Sequence, residues 1–176
     1  MKNILITLVF IFSALLSYSQ QTSADTIHWS SSRKLDWKDF NGKAAAKTGV
    51  MGHATLLMNA KFHKGLKATT SVDAIFDRKS SFVTADEKTP VMQKYYQTLF
   101  DLYEVQSRKL RKTFKETRFG LDPDKVFQEK YNAALKELDE RVDDYIEDTE
   151  TGNNAEEVEK WTKTIQQELK ELEAFR

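Results

Sequence analysis

Three histidines, His28, His53 and His63, and no cysteine set the first bound on chemistry. A structural zinc site closes with four nitrogen or sulfur ligands, so here it would have to recruit all three histidines and an acid. None of the three stands three or four residues from another histidine or from a paired carboxylate on an expected helix. His53 falls in a probable strand, where a satisfied or exposed imidazole is the default. A Ser-His-Asp triad is defined by geometry, and chain order alone does not argue for one. The six glycines lie far apart, which leaves no phosphate-cradling loop. Acid pairs such as Asp143-Asp144 fall on the charged side of an expected helix and read as solvated surface, not as a glycosidase pair. The residues taken alone therefore lead us to expect no catalytic residue, no metal ligand and no cofactor.

The elements that would position any site begin with a leader. Lys2 supplies a basic start, an apolar run from Ile4 to Leu16 follows, and Ser17-Tyr18-Ser19 places small residues at a cleavage site. That order is the pattern of a secretory signal peptide. The run is shorter than the roughly 20 residues of a membrane-spanning helix. We therefore expect residues 1–19 to be removed after Ser19 and residues 20–176 to form one exported domain, periplasmic or secreted, with no membrane anchor. Without cysteine an exported chain relies on an ordinary core, which a domain of about 150 residues can build.

Residues 20–27 are polar and small and read as a flexible lead-in. Trp29, Trp37 and Phe40 then crowd a short stretch that ends at Asn41-Gly42. Such aromatics would be a liability if exposed, so this stretch is expected to be an ordered strap packed on the domain. Val50–Ala60 and Leu66–Phe76 suit strands joined by a Lys64-Gly65 turn, with Leu66, Ala68, Thr70, Val72, Ala74 and Phe76 sharing one side. A loop over Asp77–Ser81 and a possible short third strand at Phe82-Val83 follow. Three helices complete the reading. Thr89-Pro90 opens the first, which runs to about Phe119 before Gly120. Asp122-Pro123 opens the second, with a stripe of Phe127, Tyr131, Leu135, Leu138, Val142 and Tyr145. Asn154 with Glu157 opens the third, with a stripe of Val158, Trp161, Ile165, Leu169 and Leu172. The fold class expected is α+β: a small antiparallel sheet, either a hairpin or three strands, packed by three long helices.

Formal net charge is zero, yet Arg33–Arg118 is basic and Pro123–Arg176 acidic. The basic residues are dispersed and no nucleic-acid motif accompanies them, so mutual attraction of the two parts is preferred to nucleic-acid binding.

The stretch Trp29-Ser30 with Leu35-Asp36-Trp37-Lys38-Asp39-Phe40-Asn41-Gly42 resembles the opening of an exported bacterial family, domain of unknown function 922, described as predicted secreted zinc-dependent proteases. The likeness continues through Phe100-Asp101-Leu102, Arg108-Lys109-Leu110-Arg111-Lys112, Tyr145, Thr149, Trp161 and Ile165. It implies a zincin-like scaffold. In that family the first long helix carries His-Glu-x-x-His, two imidazoles on one face for zinc and a glutamate to deprotonate its water. By this resemblance Tyr95 and Leu99 stand at the two histidine positions, Tyr96 at the glutamate position, and Thr151 at a later histidine. Leucine has no donor atom, and tyrosine titrates near pH 10. The resemblance thus implies a member without its ligands or base. Asp101 and Glu104, lacking a neighbouring histidine, read as ordinary helix carboxylates. Tyr95, Tyr96, Leu99 and Tyr103 would then either fill the old cavity as core or line an aromatic cleft; filling is favoured. The expected function is a non-catalytic envelope or secreted protein with an unknown protein or peptide partner. The competing expectations are an active hydrolase, such as a peptidase, in which His28, His53 or His63 meets Asp101 or Glu104 across the fold, and a purely structural subunit.

Overall fold

The computed structural model describes residues 25–44, 49–63 and 67–176. The leader expected over residues 1–19 and the Lys64-Gly65 turn lie outside the described residues. Strand β1 (Thr26–His28) is followed by the strap, which contains a 3-10 turn at Trp37–Asp39, and then by β2 (Val50–His63) and β3 (Lys67–Val83). Helices α1 (Pro90–Glu116), α2 (Pro123–Asp148) and α3 (Ala155–Glu171) complete the chain, which is therefore α+β. The three strands form one antiparallel sheet in the order β1-β3-β2.

The sheet differs from the sequence expectation at two places, each for a long-range reason. The lead-in is not flexible at its end: Thr26–His28 pairs with Ile75–Asp77 and supplies the third strand. The segment 77–81 is not a loop but part of β3, which runs on through Phe82-Val83. There the Asp77 carboxylate accepts from the Lys79 and Ser80 N–H groups at 2.9 and 3.1 Å. Across the strand the strap donates from Asn41 N to Arg78 O and from Gly42 N to Ser81 O, at 2.9 and 2.7 Å. A Cβ on Gly42 would overlap Lys79 O, so glycine alone permits this approach. The β2–β3 register slips between Met51 and His53, and a Cβ on Gly52 would overlap the Tyr96 ring. The absence of a side chain at Gly52 thus lets the Tyr96 ring of α1 lie on β2.

The caps follow their chemistry. Thr89 Oγ1, Asp122 Oδ1 and Asn154 Oδ1 accept from the N–H groups of Met92, Lys125 and Glu157 at 3.1, 3.2 and 3.3 Å, and Pro90 and Pro123 sit in the first turns. Helix α1 ends at Glu116, about a turn short of Phe119. It is the central element, packed against β2, β3, α2 and α3. Of the two helical stripes, Phe127, Leu138 and Tyr145 on α2 and Val158, Ile165 and Leu169 on α3 are fully buried. One core cluster joins Ile27, Leu35, Phe40, Phe76 and the N-terminal half of α1 to α2 and α3. A second gathers Val72, Leu110, Phe114, Phe119 and Phe127, with Phe62 edge-on to Phe119 and Phe127. Among the described residues no helix is long and apolar enough to cross a membrane.

Candidate functional site

The four positions singled out by resemblance do not form one pocket. Tyr95, Tyr96 and Leu99 are core residues, 3%, 6% and 9% exposed. The Tyr95 ring stacks on Tyr145 and meets Tyr96 edge-on, each at 5.0 Å, while Tyr96 meets Phe40 at 5.5 Å. Tyr95, Tyr96 and Leu99 thus fill the core, with Tyr103 packed against it and partly buried. Thr151 stands exposed at φ 57°, and it is its neighbour Gly152 that lies against Met92 and Tyr95. The Tyr96 hydroxyl donates to Val50 O at 3.1 Å and the Tyr145 hydroxyl to Tyr95 O at 2.9 Å. Burial raises the Tyr95 and Tyr145 phenols, and burial with the neighbouring Tyr95 pushes Tyr96 up to about 12. A phenol held protonated and hydrogen-bonded to main chain is no zinc ligand, so these residues do not fit the metal that the resemblance implies.

That burial has a readable consequence. An unfolded tyrosine titrates at 10.0, below the folded Tyr96. The stability that comes from keeping it protonated is therefore complete below about pH 10 and is lost as pH rises toward 12. Unfolding free energy is expected to fall over that window, and the difference in phenolate absorbance between the wild-type protein and Tyr96→Phe to appear only as circular dichroism is lost. Tyr96→Phe should flatten the fall. A difference between the two proteins that forms near pH 10 while both are still folded would mean that the Tyr96 ring is not enclosed.

The histidines are equally scattered. His53 is exposed opposite Asp77, the His63 side chain lies outside the described residues, and His28 lines a polar cavity of about 400 Å³ with Asp73, Glu104 and Arg111. Glu104 is not free to ligate there: its carboxylate accepts from Arg108 Nε at 2.9 Å and from Arg111 at 3.1 Å. Among the described residues no three His, Asp or Glu side chains are grouped to hold a metal ion.

What the sequence reading passed over is a polar row on α1. Gln93, Gln97, Asp101, Glu104, Arg108 and Arg111 recur at spacings of four, four, three, four and three on a helix otherwise rich in buried apolar side chains. Asp101 and Glu104 are not ordinary solvated carboxylates, being only 1% and 2% exposed. The row faces the strap and α3. The Leu35 N–H donates to Gln97 Oε1 at 2.7 Å, and Gln93 Nε2 donates to the Leu35 carbonyl at 2.9 Å. Two side-chain amides one helical turn apart thus grip both polar groups of one main-chain residue. Asp101 anchors the next turn: Oδ1 accepts from Trp29 Nε1 and Gln97 Nε2, both at 2.7 Å, and Oδ2 accepts from Gln166 Nε2 at 2.6 Å. Burial raises the Asp101 carboxyl above the ordinary range, opposed by the Trp29 bond, Lys34 and the Gln97 bond. The three N–H donors and the nearby Lys34 ammonium favour the charged carboxylate against that burial.

No family model, curated protein or solved structure matches the chain. The site is therefore read from its own geometry. Above Asp101 opens a cleft of about 460 Å³, bounded by Lys34 and Leu35 of the strap, Pro90, Gln93, Lys94, Gln97 and Thr98 of α1, and Thr162 and Gln166 of α3. Its size is that of a ligand pocket, and its lining of apolar walls with a few convergent polar groups is of the same kind. Lys94 on the rim pairs with Glu159 at 2.6 Å, and Thr98 and Thr162 share a hydroxyl hydrogen bond of 2.7 Å. This arrangement has donors, acceptors and one buried charge.

Proposed function

We propose that this chain is an exported, non-catalytic binding protein that takes an extended segment of a protein or peptide partner in the cleft between α1 and α3. In this reading the scaffold is zincin-like, akin to the predicted secreted metallopeptidases whose opening Trp29–Gly42 resembles, with the old metal positions given over to core. Export rests on the order of charged, apolar and small residues over 1–19. Loss of catalysis rests on Tyr95, Tyr96 and Leu99, whose donors are absent or protonated. The observation that carries peptide binding is the Gln93–Gln97 grip on Leu35: the cleft wall already holds one main-chain residue of the strap through both of its polar groups. The mode uses main-chain bonds for affinity and adjoining pockets for selectivity.

The test is selection of a random peptide display library on purified residues 20–176, alongside a Thr162→Trp variant that fills the cleft. We expect enriched peptides that bind the wild-type protein and lose at least about tenfold in affinity on the filled variant, a change of about 1.4 kcal/mol. Thermal melting of the two proteins verifies that the fold is kept. No enrichment, or enriched peptides indifferent to the filling, would remove this reading.

A further inference from the structure

The free edge of the sheet is undefended. Strand β2 lies at one end of the order β1-β3-β2, so no described strand pairs with its other side. It is 14 residues long, where a strand ordinarily has about five or six. Edges in water are ordinarily short, broken by proline or a bulge, or lined with charge, because their unpaired N–H and C=O groups template pairing with another chain. Residues 49–60 hold no proline, lysine, arginine, aspartate or glutamate. The irregularity between Met51 and His53 takes residues 78–81 of β3 against Gly52 alone in β2, so the bulge lies away from the free edge.

That edge has a definite phase. The His53 N–H donates to Ser81 Oγ of β3 at 2.9 Å. Main-chain groups alternate sides along a strand, so those of Ala54, Leu56 and Met58 point away from β3. The Ala74 carbonyl, opposite Leu56, accordingly accepts from Trp29 N and not from β2. Side chains alternate as well. Ala54 is core, and Val50, Leu56 and Met58 are partly buried against the core, while Met51, His53 and Leu57 stand on the face away from the helices. Met51 and Leu57, 48% and 40% exposed, are the most exposed large apolar side chains of the described sheet.

We infer that β2 pairs antiparallel with β2 of a second copy about a two-fold axis at Ala54, joining the two sheets into one. A second copy is the occupant because β2 is its own complement. With Ala54 opposite Ala54, Met51 of each copy meets Leu57 of the other, their β-carbons about 5 Å apart. The two-fold repeats that contact, so all four exposed apolar side chains are covered. Gly52 meets Leu56 and Val50 meets Met58, with their main-chain groups aimed at each other. His53 falls opposite Thr55, and Lys61 lies beyond the pairing. An axis at Leu57 would set His53 opposite Lys61 and leave Met51 uncovered, and an axis at Thr55 would set Leu57 opposite His53. Residues 50–58 then pair over roughly 30 Å. The inference does not rest on the peptide reading.

The chain has no cysteine, which gives the test a clean background. Residues 20–176, which hold every described element, are made as Met51→Cys and as Leu57→Cys. Under mild copper-phenanthroline oxidation an equimolar mixture is expected to give a disulfide-linked dimer. Each protein alone should give at least about fivefold less, because its two cysteines would stand roughly 20 Å apart, far beyond disulfide reach. Sedimentation velocity of the unmodified protein, from micromolar to submillimolar concentration, is expected to show a monomer–dimer equilibrium. Leu57→Lys, on an exposed side chain, should weaken it about tenfold or more. Met51→Glu combined with Leu57→Lys should recover it, since each glutamate then faces a lysine of the other copy. Thermal melting verifies that every variant is folded. A protein that sediments as a monomer throughout overturns the inference. So does a dimer whose single-cysteine proteins cross-link alone as readily as together, or one indifferent to Leu57→Lys, because its contact then lies elsewhere. Assemblies larger than a dimer overturn it too, for a two-fold pairing of one edge closes on itself.

Discussion

Glu104→Ala is expected to lower the unfolding free energy by about 3–5 kcal/mol, the cost of breaking a buried ion pair from one side. Arg108 is 1% exposed and cannot reach water when its partner goes. Its Nε loses the Glu104 bond of 2.9 Å, and what remains is the Leu169 carbonyl at 2.6 Å and Glu173, itself 58% exposed, at 3.1 Å. The Trp29 ring, 5.1 Å from the guanidinium, covers one face and excludes solvent. Arg111 also loses its carboxylate, but it keeps Val72 O and Phe175 O and is partly exposed. The asymmetry can be tested. A double variant, Glu104→Gln with Arg108→Met, removes both charges and should cost less than Glu104→Ala alone, although it changes more atoms. Urea unfolding of the three proteins gives the comparison. A Glu104→Ala protein within about 1 kcal/mol of wild type would show that Arg108 is not dependent on it.

Tyr145→Ala is expected to be of similar size, about 3–5 kcal/mol, and for a different reason. The side chain is fully buried, flat against Tyr95 at 5.0 Å and edge-on to Trp161 at 5.4 Å, and it ties α2 to both other helices. Its removal opens a cavity that the stacked Tyr95 cannot fill without leaving its own rotamer. Tyr145→Phe keeps the volume and loses only the hydroxyl donated to Tyr95 O, so about 1 kcal/mol is expected. For a domain of this size the alanine variant should melt roughly 10 °C lower and the phenylalanine variant only a few degrees lower. Equal losses would mean that the hydrogen bond, and not the packed ring, holds the helices together.

The helices were legible because their signals are local. A Thr or Asp cap followed by proline, and apolar residues three and four apart, need no knowledge of the rest of the chain. The hairpin was legible for the same reason in its alternating half. Thr26–His28 was not, since three residues make no pattern and the strand exists only because β3 offers an edge. The course of β3 past Asp77 depends on the strap forty residues earlier, which no window of sequence contains. The polar row on α1 is the instructive omission. Gln93, Gln97, Asp101 and Arg108 were visible at helical spacing, but a charged row on a helix ordinarily faces water. What marks this one as interior is its set of partners on the strap and α3, which no local pattern of α1 contains. Tyr95 and Leu99, each two residues from Gln97, lie on another face of the helix from the row that holds the strap.

Helix α1 is the keel of the molecule. The sheet lies on one flank and the other two helices lie on the opposite flank, and those flanks meet chiefly through it. Neither side therefore owns a complete interior: the strands without this helix would bare Val72, Ala74 and Phe76, and α2 and α3 would bare Tyr145 and Ile165. A protease cut or a truncation within it would leave no half able to stand by itself, so the chain is gained or lost as one piece.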